Sequence, residues 1–198
     1  DKAMIVLTSD HGESFGEHGE KTHSIFIYEA TQWIPLMIKL PKSLEKGTRV
    51  ADRVRHVDIF PTILAAARLR MPSRGGRTPY PGSSLLSCIR GAAREEPPCY
   101  LETFLPLYHF GWSPLQGIVQ DGFKFIEAPR KELYDLKADP HELNNLLDSQ
   151  AGKAASLSRL LDKAKKEYAE KEADQQASRE ADAETAKKLE ALGYMVGG

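Results

Sequence analysis

Three features of the sequence predict an α/β fold. Two short continuous apolar runs, Ala3–Leu7 and Ile34–Leu40, read as strands buried on both faces, the pattern of a parallel sheet. A polar, glycine-rich loop, Thr8–Gly19, follows the first run at a strand's C-terminal end, where open α/β sheets place their ligands. Further on, alternating segments flank Asp121-Gly122, a strong two-residue hairpin signal, and predict a small antiparallel sheet.

The elements follow in order. Pro35 belongs at the start of the second strand, where its missing N–H does least harm. From Val57 to Ala66 the apolar spacing is helical, with Asp58 as cap and Pro61 in the first turn. Residues 70–83 concentrate Pro72, Gly75-Gly76, Pro79 and Pro81-Gly82, which mark a long connection or a boundary. Tyr100–Thr103 opens a second block. Leu115–Gln120, Phe123–Ile126 and Glu132–Leu136 are its strands. Leu157, Leu160, Leu161, Ala164 and Tyr168 then line one face of an amphipathic helix. Glu170 to Lys188 is a solvated helix or linker, and Leu189, Leu192 and Tyr194 could dock a last turn.

Composition narrows the class. The 198 residues carry 27 Lys plus Arg against 28 Asp plus Glu, a formal net charge of -1. That balance excludes a generally basic nucleic-acid binder and an acidic disordered chain. No apolar run reaches the roughly 18 residues of a membrane-spanning helix. The 2 cysteines, Cys88 and Cys99, exclude a disulfide scaffold and a cysteine-type zinc module; they are two buried thiols or one bridge. The chain opens on a central strand with no initiator Met or signal peptide, so it is expected to be cut from a longer one.

Candidate chemistry gathers in the glycine-rich loop. Asp10 and His11 pair a carboxylate with an imidazole, a metal half-site or a solvated turn. His18 and His23 make three histidines within thirteen residues, and histidine moves protons near neutral pH. Gly12-Glu13-Ser14-Phe15-Gly16 matches the Gly-x-Ser-x-Gly elbow, but polar residues stand where the strand should end and the helix begin. Trp33 and Trp112 read as packing residues. Arg53, Arg55, Arg68, Arg70, Arg74 and Arg77 read as a solvated basic face, with an anion-attracting rim as the alternative.

Taken in order, these segments resemble the C-terminal part of a sulfatase of the alkaline phosphatase superfamily. The matching landmarks are Leu7-Thr8-Ser9-Asp10-His11-Gly12-Glu13, Gly16-Glu17-His18-Gly19, Tyr28-Glu29, and Trp33-Ile34-Pro35-Leu36-Met37-Ile38. Asp58-Ile59-Phe60-Pro61-Thr62 and Gly82-Ser83-Ser84-Leu85 follow. The closing block runs from Gly122-Phe123-Lys124 through Leu133-Tyr134-Asp135-Leu136, Asp139-Pro140-His141-Glu142 and Asn145-Leu146.

The resemblance implies the end of an alkaline phosphatase-like α/β/α sheet, a small C-terminal antiparallel sheet with a helix, and a charged helical tail. Residues 1–90 would be the catalytic-domain portion, 91–150 the antiparallel subdomain and 151–198 the tail. It implies Asp10 and His11 as ligands of one divalent cation, Ca²⁺ first, with Mn²⁺ or Zn²⁺ open. His23 falls where relatives carry a sulfate-contacting Lys, giving it a catalytic and substrate-binding role, and Lys21 could supply the missing cation. His18 would support the site from its turn. The family's nucleophile, a formylglycine made from Cys or Ser in Cys-x-(Pro/Ala)-Ser-Arg, is absent; Met71-Pro72-Ser73-Arg74 mimics only the end of that motif. The expected parent is a sulfuric ester hydrolase acting on a small-molecule or glycan sulfate ester, and this chain alone is expected to be inactive without the missing N-terminal half. A phosphonate, phosphodiester or phosphomonoester hydrolase and a non-catalytic module are the alternatives. No nucleic acid or membrane partner is implied. A periplasmic or extracytoplasmic location is favoured for the parent.

Overall fold

The computed structural model describes residues 2–73, 80–93 and 95–180, with side chains to 169. The dock of Leu189, Leu192 and Tyr194, and the reading of Arg74 and Arg77, lie outside the described residues.

Strand β1 (Ile5–Thr8) and strand β2 (Leu36–Lys39) form a two-stranded ribbon. The pairing is antiparallel, Ile5 opposite Lys39 through Thr8 opposite Leu36. Among the described residues neither strand has the parallel neighbours that their apolar runs predict. A continuous apolar run reports burial on two faces, not strand direction. Against the burial on both faces that the runs predict, Ile5, Leu7 and Met37 are more than half exposed among the described residues. Pro35 stands just before β2, and its carbonyl accepts the Thr8 hydroxyl at 2.9 Å.

The one-turn helix α1 (Glu29–Gln32) and helix α2 (Ile59–Ala66) flank β2 in sequence, and helix α3 (Leu86–Ile89) follows. Asp58 precedes α2 but does not cap it. Its fully buried carboxylate instead takes a two-point contact from Arg55, at 2.9 and 3.2 Å, and the Ser83 amide at 2.8 Å. Thr62 accepts the Leu85 amide at 2.9 Å. The Asp-x-x-Pro-Thr and Gly-x-Ser-Leu segments therefore close on each other. Gly82 makes this possible, because a Cβ there would lie 1.7 Å from the Val57 carbonyl oxygen.

The second block is a four-stranded antiparallel sheet in the order β3 (Cys99–Thr103), β4 (Leu115–Gln120), β5 (Phe123–Glu127) and β6 (Glu132–Asp135). Asp121 and Gly122 take φ of 54° and 80°, the left-handed pair that a tight hairpin of this twist needs. Helix α4 (Leu105–Phe110) follows β3, and helix α5 (Ala151–Glu180) crosses one face of the sheet. Leu157 and Leu161 pack there against Ile118, Phe125 and Leu133, and Tyr168 stacks on Tyr100 at 5.0 Å. Ile27, two residues before α1, packs in a second cluster with Leu115, Ile126 and Tyr134.

Three expectations are corrected. Arg53 and Arg55 do not belong to a solvated face: Arg53 contacts Glu29 at 3.0 Å, and Arg55 is buried on Asp58. Trp33 is 72% exposed, because the buried positions of its one-turn helix are taken by Glu29 and Thr31. Trp112 is 58% exposed: it follows the left-handed Gly111 that ends the helix before it, and its indole lies tilted against exposed Phe110, with ring centroids 4.8 Å apart. The cysteines are free thiols, Cys88 buried and Cys99 half-buried.

Candidate active site

The loop after β1 is shaped by short-range hydrogen bonds. The backbone amides of Asp10 itself and of His11 hold the Asp10 carboxyl below the usual carboxylate range, so it is ionised at neutral pH. The His11 Nδ1 lies 2.7 Å from the Gly12 carbonyl oxygen. A carbonyl only accepts, so Nδ1 carries the proton and Nε2 keeps its lone pair free. That Nε2 is 3.7 Å from Asp10 Oδ2.

Two such atoms fit one divalent cation, whose bonds to nitrogen and oxygen run about 2.0–2.6 Å. The tie from Nδ1 to a carbonyl is also the usual arrangement behind a metal-bound imidazole. Among the described residues no group of three or more His, Cys, Asp or Glu side chains stands together as a metal site. The pair thus offers two donor atoms and no third.

His23 joins the pair. Its ring stacks on His11 with centroids 4.0 Å apart and planes 27° apart. Its Nδ1 lies 3.0 Å from Glu13 Oε2. Sequence reasoning missed Glu13: it stands in the Asp-His-Gly-Glu segment, but no spacing shows that it faces a residue ten positions on. Lys21 is exposed in the same loop, and among the described residues no ion pair joins it to Asp10, Glu13 or His23.

The remaining loop residues are scaffolding. His18 takes a left-handed backbone, φ 52°, stacks on Tyr28 at 3.6 Å and bonds through Nε2 to the His141 carbonyl at 3.0 Å. Tyr28 and Tyr134 both donate to Glu132, at 2.8 and 2.9 Å. Ser14 is buried, and its hydroxyl donates to Glu17, so it is no exposed nucleophile. A hollow of about 170 Å³ borders Asp10 and His56. The larger one, about 520 Å³, is lined by Leu36, Ile38, Leu40 and Leu85 and does not reach the loop.

A mixed α/β unit with this strand-end loop and antiparallel sheet is found in sulfatase and alkaline phosphatase-like structures. BT4656, solved in complex with its substrate D-glucosamine-2-N,6-O-disulfate, superposes with a TM-score of 0.67 at 31% identity, over 84% of this chain and 35% of that one. The phosphonate monoester hydrolase of Agrobacterium radiobacter shares the fold with a TM-score of 0.67 at 23% identity, over 83% of this chain and 35% of that one. The family model of the N-sulphoglucosamine sulphohydrolase C-terminal region matches residues 16–171, and the chain belongs to that family. It is 31% identical to an N-acetylglucosamine-6-O-sulfatase of Bacteroides thetaiotaomicron, over 88% of this chain and 32% of that protein. It is 29% identical to a choline-sulfatase of Rhizobium meliloti, over 77% of this chain and 28% of that protein. The chain spans about a third of the length of the curated relatives it matches.

Proposed function

We propose that the protein to which this chain belongs hydrolyses sulfate monoesters, with a sulfated sugar as substrate class. This chain then supplies half of a metal site and the groups that face the sulfate. The observation that carries the reading is the meeting of Asp10, His11 and His23 at one strand end. The names of the family and of its sugar-sulfatase relative support the substrate class.

Asp10 Oδ2 and His11 Nε2 would hold a divalent cation, Ca²⁺ in our reading; an imidazole donor also suits Mn²⁺ or Zn²⁺. The cation, when bound, supplies positive charge to the sulfate oxygens. The Gly12 carbonyl keeps the His11 proton on Nδ1 and so keeps Nε2 a ligand. Glu13 does the same for His23, accepting its Nδ1–H and leaving Nε2 for the substrate. From Nε2 a protonated His23 can donate to the leaving ester oxygen and offset the charge that develops there. Exposed Lys21 adds a mobile cation at the loop's rim. The nucleophile, a formylglycine in our reading, lies outside these 198 residues.

The experiment is sulfate release from glucosamine 6-sulfate, with and without a chelator. The full-length protein is expected to release sulfate in a cation-dependent way, and the 198-residue chain to release none. Activity in the short chain alone, or none in the full-length protein with formylglycine present, would overturn the reading.

A further inference from the structure

Lys124, on β5, is completely buried. Its ammonium lies 2.9 Å from Glu29 Oε1 and 2.9 Å from Glu142 Oε1, and donates to the Ile27 carbonyl at 2.9 Å. The ammonium is thus held by one hydrogen bond, to the carbonyl, and by two close ion pairs. Glu142 Oε2 accepts the Glu29 amide at 2.6 Å, and Arg53 contacts Glu29 Oε2 at 3.0 Å. Two cations and two carboxylates close a balanced, buried knot.

The knot does not end at α1. The Thr31 carbonyl accepts the Gly12 amide at 2.8 Å. Gly12 lies so close to α1 that a Cβ would stand 2.4 Å from the Ala30 carbonyl oxygen. The Gly12 carbonyl in turn holds His11 Nδ1 at 2.7 Å. Every step from Lys124 to His11 is therefore a close contact or one turn of helix. A second tie runs beside it, from Tyr28 to the His18 ring and on to the His141 carbonyl, next to Glu142.

Packing alone does not call for this arrangement. Burying an ammonium costs desolvation, and an apolar side chain of similar volume fills such a place as well or better. What one hydrogen bond and two ion pairs converging on a single nitrogen add is a fixed distance between β5, the Ile27–Glu29 turn and Glu142.

We propose that Lys124 is a positioning residue for the metal half-site. It fixes α1 on the antiparallel sheet, and through Gly12 it sets the orientation of His11 and the cation affinity of the Asp10–His11 pair. The inference rests on the proposed cation at those two residues.

The test is calcium titration of the full-length protein, with circular dichroism and amide hydrogen exchange on each variant. Lys124→Met is expected to weaken calcium binding about ten-fold or more, the usual cost of losing a group that orients a metal ligand. Exchange across residues 10–31 is expected to rise with it. A folded Lys124→Met protein with wild-type calcium affinity overturns the proposal. If that variant does not fold, Glu142→Gln replaces it: an acceptor for the Glu29 amide is kept and one charge on Lys124 is lost. Weaker calcium binding then supports the proposal, and unchanged binding overturns it. Asp10→Ala separates the two claims. If it binds calcium like wild type, or wild type binds none, the cation reading fails and takes the role of Lys124 with it. If Asp10→Ala loses calcium and Lys124→Met does not, only the role of Lys124 fails.

Discussion

His23 lies face to face with His11, with ring centroids 4.0 Å apart, while its Nδ1 is held 3.0 Å from Glu13 Oε2. Each ring is thus fixed through Nδ1; in the proposed reading one would face a cation and the other the sulfate end of a substrate. Glu13→Ala removes the second fixture. In the full-length protein we expect kcat for sulfate release to fall about ten-fold or more with KM little changed, since a positioned proton donor contributes about 10²–10⁴. Steady-state kinetics check this, and an unchanged kcat in the folded variant contradicts it.

Glu29 and Glu142 share one ammonium but titrate in opposite directions. Burial alone would raise Glu29; Lys124 and Arg53 outweigh it and hold the carboxyl below its ordinary 4.5. For Glu142 burial dominates and pushes the carboxyl up, with Lys124 offsetting only part. The stability Glu29 contributes is present above its unfolded value and lost as pH falls through the lowered folded one. For Glu142 the sense reverses: the contribution is present below the unfolded value and lost as pH rises through the raised one. Glu29→Gln should therefore cost more at neutral pH, about 3–5 kcal/mol for a broken buried pair, and converge on wild type in acid. Glu142→Gln should cost less. Denaturation midpoints taken across the acid range for both variants measure the difference; equal losses at neutral pH contradict it.

Gly82→Ala places a Cβ 1.7 Å from the Val57 carbonyl oxygen. That backbone is pinned, because Asp58 takes the Ser83 amide and Thr62 the Leu85 amide. We expect a loss of about 3 kcal/mol or more, at the upper end of overpacking costs. Urea denaturation of the full-length protein checks it, and a loss under about 1 kcal/mol would show that the turn yields.

Leu161 is fully buried between α5 and the sheet. Leu161→Ala should cost about 2–5 kcal/mol, the range for truncating a buried leucine. The same denaturation measurement reads it, and a surface-like effect would mean that α5 does not hold this face.

Local signals made the antiparallel block legible. Alternation, the Asp121-Gly122 turn and the helical spacing from Leu157 act within a few residues, and the structure follows them. The ribbon was read less well: apolar continuity in β1 and β2 suggested a parallel sheet buried on both faces, whereas the strands pair antiparallel with Ile5, Leu7 and Met37 more than half exposed. Partners brought together across long stretches left no trace in spacing: Glu13 with His23, Arg53 with Glu29, Lys124 with Glu29 and Glu142. Each is a charged residue that composition assigns to solvent until a partner is seen. The closeness of Asp10 and His11 was visible because adjacent residues at a strand end need no long-range knowledge. Several segments that carry the sulfatase resemblance, Lys124, Glu142, Thr62 and Gly82 among them, prove to be joints between elements.

The most direct measurement is sulfate release from glucosamine 6-sulfate by the full-length protein and its Asp10→Ala and His23→Ala variants, in saturating calcium. The account predicts turnover in wild type and a loss of about 10²-fold or more in each folded variant. Wild-type rates in both folded variants would contradict it.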